Sequence, residues 1–560
     1  MAQGEISGSA SSGIDTGRDK IASFLLKDFL FWLSLLLSGF VLSLTLWFGM
    51  GVDAGMLSYC SWVWEHYDLP PYVGCLSENF PGIFIIHRLT LKLFGESVLG
   101  FRVFDCLIQL SSLIMIFYLA KRISRSSLAG FLADIFYATY YYSLDYAFTA
   151  EREVYIFWLI LIMIIVHLAL ASRVYLRAAL VGALAGFCFL IKPTFGLLWP
   201  VFGCWYLVEG TRQRPRKVRL EAFIFGLSCL LPSLVVVLLY WKWGYLKEMG
   251  DTLALLDFKL YSELPILLMP DWYSPAFEIS RSLLFVYQLQ KVLGDYPVAF
   301  LGAAIFIVIN LSNYRNTGER KLFPLILSIA LVGLASVFIQ RRINPYQRAP
   351  FQGLIIILAG CGFSWIVQKI KTTAFSLWPR VAEIALGSAL VALSFASIPP
   401  RLGFFAINYC FRDLNSAYLF EYRAEQNTVN YLKSVLRPED EVYYFGKISA
   451  IPFLIGKKLP VPFPMIYPLV WRAKDNSLGA VQRQWRQEYI DGFFKSRPRF
   501  FIFDTRHSVD FGDLPDLRVI LKHDFDPVQR SLDQSYIPIK YFGPIIIYEL
   551  KTGSEKSSKQ

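Results

Sequence analysis

Three carboxylates and a small set of Lys and Arg side chains have the types and positions that chemistry needs. Asp53 follows the first long apolar run. Glu151 and Glu153 flank Arg152 where a later run begins, and Lys192 stands before a proline between two more. The stretch Gln340-Arg341-Arg342-Ile343-Asn344-Pro345-Tyr346-Gln347-Arg348 gathers three guanidinium groups. A carboxylate can take the proton of an attacking hydroxyl while cations stabilise a departing anion. Arg forks bind phosphate bidentately. Such a set at a membrane surface suits transfer from a lipid phosphate. A phosphate leaving group is a weak base and needs no general acid, so one base suffices, with inversion at the carbon attacked.

The elements that must hold these residues are membrane spans. Of 560 residues, 55% are hydrophobic and 18% are charged, with a mean hydropathy of +0.45. Apolar runs of about 20 residues recur, each long enough to cross a bilayer. They lie near 29–50, 98–120, 127–148, 154–172, 176–191, 195–209, 221–243, 297–312, 322–340, 350–367 and 381–398, roughly eleven spans. The fold class is therefore a polytopic α-helical membrane protein. The net charge of +12 falls in short loops rather than one patch, which speaks against a nucleic-acid partner. With residues 1–28 as a cytoplasmic tail, the loops 121–125, 173–177, 211–219, 313–321 and 368–380 face the cytoplasm, and all are rich in Lys and Arg. This orientation puts Asp53, Glu151, Glu153, Lys192 and the Arg341–Arg348 turn on the external side, where the Arg turn breaks the positive-inside pattern.

The first external loop, 51–97, carries two amphipathic helical patterns, Ala54–His66 and Pro81–Phe94, suited to the membrane interface. The loop 244–296 is aromatic and reads either as a lid or as an ordered connector. The transmembrane domain ends near 400. From 401 to 550, apolar runs shorten and charges rise. Strands expected at 442–445, 500–503, 518–521 and 545–548 alternate with helices at 424–436 and 480–495, which makes an external α/β domain. No Gly-rich phosphate loop is present there. Residues 551–560 read as a disordered tail. Eight cysteines include no CxxC motif, and spacing alone leaves a Cys60–Cys75 pairing open. His167 reads as a buried helix residue, and His66 and His87 as interfacial. Asp105 and Asp145 are expected to pair within the bundle, with Arg102 as a candidate partner.

With these motifs in view, the chain resembles the GT-C glycosyltransferases that use polyprenyl-phosphate sugars, including protein O-mannosyltransferases and lipid A aminoarabinose transferases. The resemblance rests on Asp53-Ala54-Gly55, Pro70-Pro71-Tyr72, Asn79-Phe80-Pro81-Gly82, Leu93-Phe94-Gly95 and Arg102 in the first loop. It continues through Glu151-Arg152-Glu153-Val154-Tyr155, Ile191-Lys192-Pro193-Thr194 and Asn344-Pro345-Tyr346-Gln347-Arg348-Ala349-Pro350. It implies an inverting glycosyltransferase with Asp53 as the base. Glu153, with Glu151 as the alternative, would orient the acceptor or shape the pocket. Lys192, Arg341, Arg342, Arg348 and Arg152 would face the donor phosphate, and Asn79, Tyr72 and Tyr346 would line the pocket. The partners implied are a polyprenyl-phosphate sugar donor, the bilayer, and a glycan, glycolipid or protein acceptor. The location implied is a plasma membrane, or bacterial inner membrane. Many family members have Asp-Glu where this chain has Asp53-Ala54, which weakens the case for a divalent metal, and no other cofactor is implied. A transporter or lipid flippase is the competing class. It predicts internal repeats and charges at the bilayer midplane, whereas the charges here collect at span ends. A membrane-anchored binding or assembly protein is the third.

Overall fold

The side chain of Asp28 accepts the Leu30 amide at 3.0 Å and so starts helix α1, Phe29–Ser43. Ser97 does the same for α4, Val98–Ser124, accepting from Gly100 at 3.0 Å. Between them the first loop folds as α2, Val52–Tyr67, and α3, Pro81–Phe94, the latter opening on a proline at its first position. The computed structural model describes residues 25–213, 215–256, 267–268, 277–278, 281–312, 322–341, 344–373, 378–400, 402, 420–446, 450–470, 478–505 and 517–551. Arg342, most of the tails 1–28 and 551–560, and much of the 244–296 loop lie outside the described residues.

The bundle continues with α5 (Ser127–Ser143), α6 (Arg152–Ala169), α7 (Val174–Ile191), α8 (Leu198–Gln213), α9 (Pro215–Trp243) and the short α10 (Leu246–Leu253). Then come α11 (Arg281–Gly294), α12 (Pro297–Ser312), α13 (Leu322–Gln340), α14 (Ala349–Thr373) and α15 (Trp378–Ala396). Every expected span falls on a helix. Among the described residues, seven helical segments are long and apolar enough to cross a membrane, or eight if α11 and α12, bent by 87°, form one span. The C-terminal end of the 244–296 loop is thus helical, and Asp295 sits at the bend.

Burial sorts the spans into inner and outer ones. In an apolar 18-residue stretch of segment 345–370, 89% of the residues are buried, against 17% in such a stretch of 218–243. Along α9 the side chains of Phe223, Leu227, Leu230, Leu234 and Leu238 are exposed, a stripe that lipid rather than water must cover. Helix α14 is the central helix, packed against α5, α12 and α13.

The C-terminal domain has α16 (Phe420–Val435) and a sheet that starts with β1 (Val442–Phe445). It continues with α17 (Ala480–Ser496), β2 (Phe500–Asp504), α18 (Leu517–Asp524), α19 (Asp526–Ser535), β3 (Tyr536–Phe542) and β4 (Ile545–Leu550). The strand order is β1-β2-β4-β3, with β1 parallel to β2 and the other pairs antiparallel. One sequence expectation fails here, and one strand was not foreseen. Residues 518–521 are helical, because Leu517, Ile520 and Leu521 are buried at helical spacing. The strand 536–542 escapes a pattern reading because Pro538 interrupts it. The proline is tolerated on this edge strand, where the register slips between Pro538 and Lys540.

This domain closes over the first loop. Helix α2 is enclosed on nearly every side. A Cβ on Gly55 would stand 2.8 Å from the Cβ of Ala450, so only glycine lets the two segments meet. Leu459 donates its amide to the Tyr59 hydroxyl at 2.8 Å, and Leu76 donates to the Pro462 carbonyl at 2.6 Å. Cys60 and Cys75 form a disulfide that ties α2 to the strand of loop leading to Asn79.

Candidate active site

Asp53 lies in the first turn of α2, one residue into the helix after Gly51. Arg152 opens α6 and donates Nη2 to Asp53 Oδ2 at 3.1 Å. The same guanidinium donates Nη1 to Asn79 Oδ1 and Nη2 to the Tyr346 hydroxyl at 3.3 Å. One arginine therefore joins the first loop, the start of α6 and the turn before α14. Asn79 is set by Tyr72, whose hydroxyl donates to the Asn79 carbonyl at 2.6 Å, and by Ser77 Oγ, which accepts from Asn79 Nδ2 at 3.1 Å. The Tyr346 ring stacks on Phe148 at 5.9 Å between centroids.

A second ion pair completes the group. Lys192, in the break between α7 and the turn Pro193–Leu197, donates to Glu153 Oε1. Helix α3 approaches this break closely. A Cβ on Gly82 would lie 2.8 Å from the Ile191 amide nitrogen, so Gly82 allows the contact. Burial lowers the pKa of the Lys192 ammonium, and the Glu153 carboxylate works against that fall.

The three acids differ in access. Asp53 keeps 24% of its side chain exposed, whereas that of Glu153 has none and Glu151 is 1% exposed. Burial raises the Glu151 pKa well above the usual carboxylate range, and the nearby Asp53 charge raises it further. Glu151 is therefore held toward its neutral form, and Asp53 is the acid a substrate can reach. Glu151 Oε2, Glu153 Oε2 and Arg152 Nε are buried without a hydrogen-bond partner among the described residues. Such atoms mark a place where a polar ligand fits. The described residues contain no group of three His, Cys, Asp or Glu arranged to hold a metal ion.

Other expected residues lie elsewhere. Arg348 is buried and ion-paired with Asp295 at the bend between α11 and α12. Arg341 is exposed, with φ of 53° just past the end of α13. Asp105 accepts from Tyr141 at 2.7 Å and Gln109 at 3.0 Å, and Asp145 accepts from the Tyr146 amide. Arg102 donates to the carbonyls of Gly49 and Tyr146 and to Thr149 Oγ1 at 2.9 Å. It clamps the backbone just before Asp53 to that just before Glu151. This role is invisible in sequence, because carbonyl acceptors carry no residue signature. Asp295 was also missed, although Gly294-Asp295-Tyr296-Pro297 reads as a helix break. His87 is not interfacial. It is 1% exposed and bonded to Ser58 Oγ at 2.9 Å, and burial pushes its pKa down to about 3. His167 is buried against Trp205 and Tyr206, as expected.

Comparison with known proteins adds to this geometry. Residues 78–241 match the family model of dolichyl-phosphate-mannose-protein mannosyltransferase, a stretch that holds Asn79, Glu151, Arg152, Glu153 and Lys192 but not Asp53. No curated protein sequence matches. The structure is similar to that of ArnT from Cupriavidus metallidurans bound to undecaprenyl phosphate, with a TM-score of 0.55 and 14% identity. That match covers 95% of this chain and 99% of the other. The same protein in the apo state gives a TM-score of 0.54 at 14% identity, over 92% and 97% of the two chains. The chain is thus a multi-pass, mostly helical membrane protein that shares the fold of ArnT, and its segment 78–241 is similar to the dolichyl-phosphate-mannose-protein mannosyltransferase family model.

Proposed function

We propose that the protein is an inverting glycosyltransferase that moves one sugar from a polyprenyl-phosphate donor to an acceptor hydroxyl at the external membrane face. The observation that carries this reading is the reachable Asp53 carboxylate held by Arg152, beside the Lys192–Glu153 pair. Asp53 takes the acceptor's proton. The acceptor oxygen then bonds to the anomeric carbon from the face opposite the phosphate. The carbon–oxygen bond to phosphate breaks, and its electron pair leaves with the polyprenyl phosphate. Lys192 and Arg152 supply positive charge for that oxygen. Each is already positioned by an acid, so little reorganisation is needed as charge develops. Glu153 keeps Lys192 in place. Arg341, exposed just past the end of α13, is suited to hold the phosphate as it departs along the membrane surface.

The external orientation rests on two supports. Lys- and Arg-rich loops lie at the opposite ends of the spans from Asp53. The Cys60–Cys75 disulfide beside the site suits an oxidising compartment. The membrane is then a plasma or bacterial inner membrane, and the acceptor is a glycan, a glycolipid or a protein.

The test is a transfer assay with purified protein in lipid nanodiscs and a panel of polyprenyl-phosphate sugars. It is paired with mass spectrometry of envelope glycans from cells with and without the protein. The reading expects free polyprenyl phosphate, a product of inverted anomeric configuration, and a glycan mass that disappears with the protein. Retention of configuration would overturn the one-base mechanism. An unchanged glycan profile with no donor turned over would overturn the activity.

A further inference from the structure

Gln347 stands between Tyr346, which receives Arg152, and Arg348, which pairs with Asp295. It is 1% exposed, and neither Nε2 nor Oε1 has a hydrogen-bond partner among the described residues. A buried amide with both ends unpaired is costly in a folded chain, and it calls for an explanation. The surroundings supply one. The turn 345–348, which carries Gln347, and the turn 193–197, which follows Lys192, both pack on α13. On that helix Ser336 shares a 2.7 Å hydrogen bond with Thr194 and accepts Gln340 Nε2 at 2.8 Å. Gln340 Oε1 is itself buried without a partner among the described residues. Neutral donors and acceptors therefore gather along the end of α13, beside the charged pairs of the site.

We propose that Gln347, with Gln340 on the helix its turn packs against, binds hydroxyl groups of the transferred sugar, and that the sugar edge presented there is uncharged. This assignment rests on the glycosyl-transfer reading above. The chemistry follows from what each ligand offers. A hydroxyl both donates and accepts, so one or two sugar hydroxyls satisfy Nε2 and Oε1 together. An ammonium offers only donors and leaves Nε2 unpaired. A carboxylate offers only acceptors and leaves Oε1 unpaired. The charged side chains nearby do not alter this choice, because Arg152, Lys192 and Arg348 each already face an acid. A site built on buried amides discriminates strongly against analogues that lack the matching hydroxyl.

The experiment compares wild type with Gln347→Met, which keeps the volume and removes both polar atoms, in nanodiscs. Three quantities are read: kcat/KM for a polyprenyl-phosphate hexose and its monodeoxy analogues, Kd for polyprenyl phosphate without sugar, and Tm. Gln347→Met should lower kcat/KM by about tenfold to a hundredfold while Kd holds and Tm, relieved of the unpaired buried amide, holds or rises. One deoxy donor should lose a similar factor with wild type and little more with the variant, identifying the hydroxyl that is read. Equal loss in Kd and kcat/KM, or an unchanged kcat/KM, would overturn the assignment. So would preferred turnover of a donor charged at the hydroxyl identified. A wild-type protein that transfers sugar from no polyprenyl-phosphate donor would overturn the reading beneath it, and this outcome is distinct because it appears before any variant is made.

Discussion

At the level of single residues, access separates three acids that the sequence alone treats alike. Glu151 and Glu153 flank Arg152, yet Glu153 is spent on Lys192 and Glu151 is closed off from water. The upward pKa shift of Glu151 gives a prediction with a definite sign. Its folded-state pKa is raised above the unfolded value, so its contribution to stability is fully present below the ordinary glutamate range. That contribution is lost as pH rises from there toward the folded pKa. Glu151→Gln mimics the protonated acid. The variant should keep its apparent Tm between pH 5 and pH 8 where wild type loses some, as read by thermal unfolding in detergent across that range. It should also keep most of the transfer activity. A wild-type Tm that rises across this range, with the variant's falling, would reverse the protonation assigned to Glu151. Asp53 stood out in the sequence as the candidate base, though not by itself, since an acid just past a span end is commonly solvated. The second acidic cluster at Glu151 and Glu153 and the cations expected on the same side singled it out. The partner of each cation was not legible there. Pairing such as Arg348 with Asp295 or Arg152 with Asn79 depends on how distant helix ends meet.

At the level of elements, the site is a meeting of helix starts and breaks. Asp53 and Arg152 occupy first turns, Lys192 a break, and Tyr346 the turn before α14. The spans themselves were readable from apolar length, and the two loop helices from 3.6-residue spacing. The helix at 517–524 and the strand at 536–542 were not, because short apolar runs carry both periods and a proline hides an edge strand. Close approaches between elements give the next predictions. Gly82→Val would place side-chain atoms against the backbone at Leu190 and Ile191, forcing α3 away from the Lys192 break. Overpacking of this kind costs about 1–3 kcal/mol, and a displacement near 1 Å costs roughly a hundredfold in rate. The variant should therefore express and bind polyprenyl phosphate, yet lose most of its kcat. The disulfide acts on the same loop. Replacing Cys60 and Cys75 together by Ser should destabilise the protein by roughly 2–5 kcal/mol. Thermal unfolding and limited proteolysis of the 51–97 loop would show this. An unchanged Tm would mean that the C-terminal domain alone holds the loop.

At the level of the whole molecule, two bodies enclose one loop. The bundle supplies cations from span ends, and the C-terminal sheet domain presses α2 down through Ala450, Leu459 and Pro462. That domain was expected from the change in composition after 400. Its contact with the first loop was not, because residues 400 positions apart leave no local signal. The arrangement explains why a lone helix carrying an acid can be rigid at a membrane surface. In the proposed mechanism Asp53 is the residue on which transfer depends. The most direct measurement is single-turnover transfer by Asp53→Asn in nanodiscs, alongside equilibrium binding of polyprenyl phosphate by the same preparation. A lost base should lower the chemical step by about a hundredfold to ten-thousandfold, with Kd for polyprenyl phosphate and Tm close to wild type. Transfer at the wild-type rate by a folded Asp53→Asn protein would contradict the role assigned to this carboxylate.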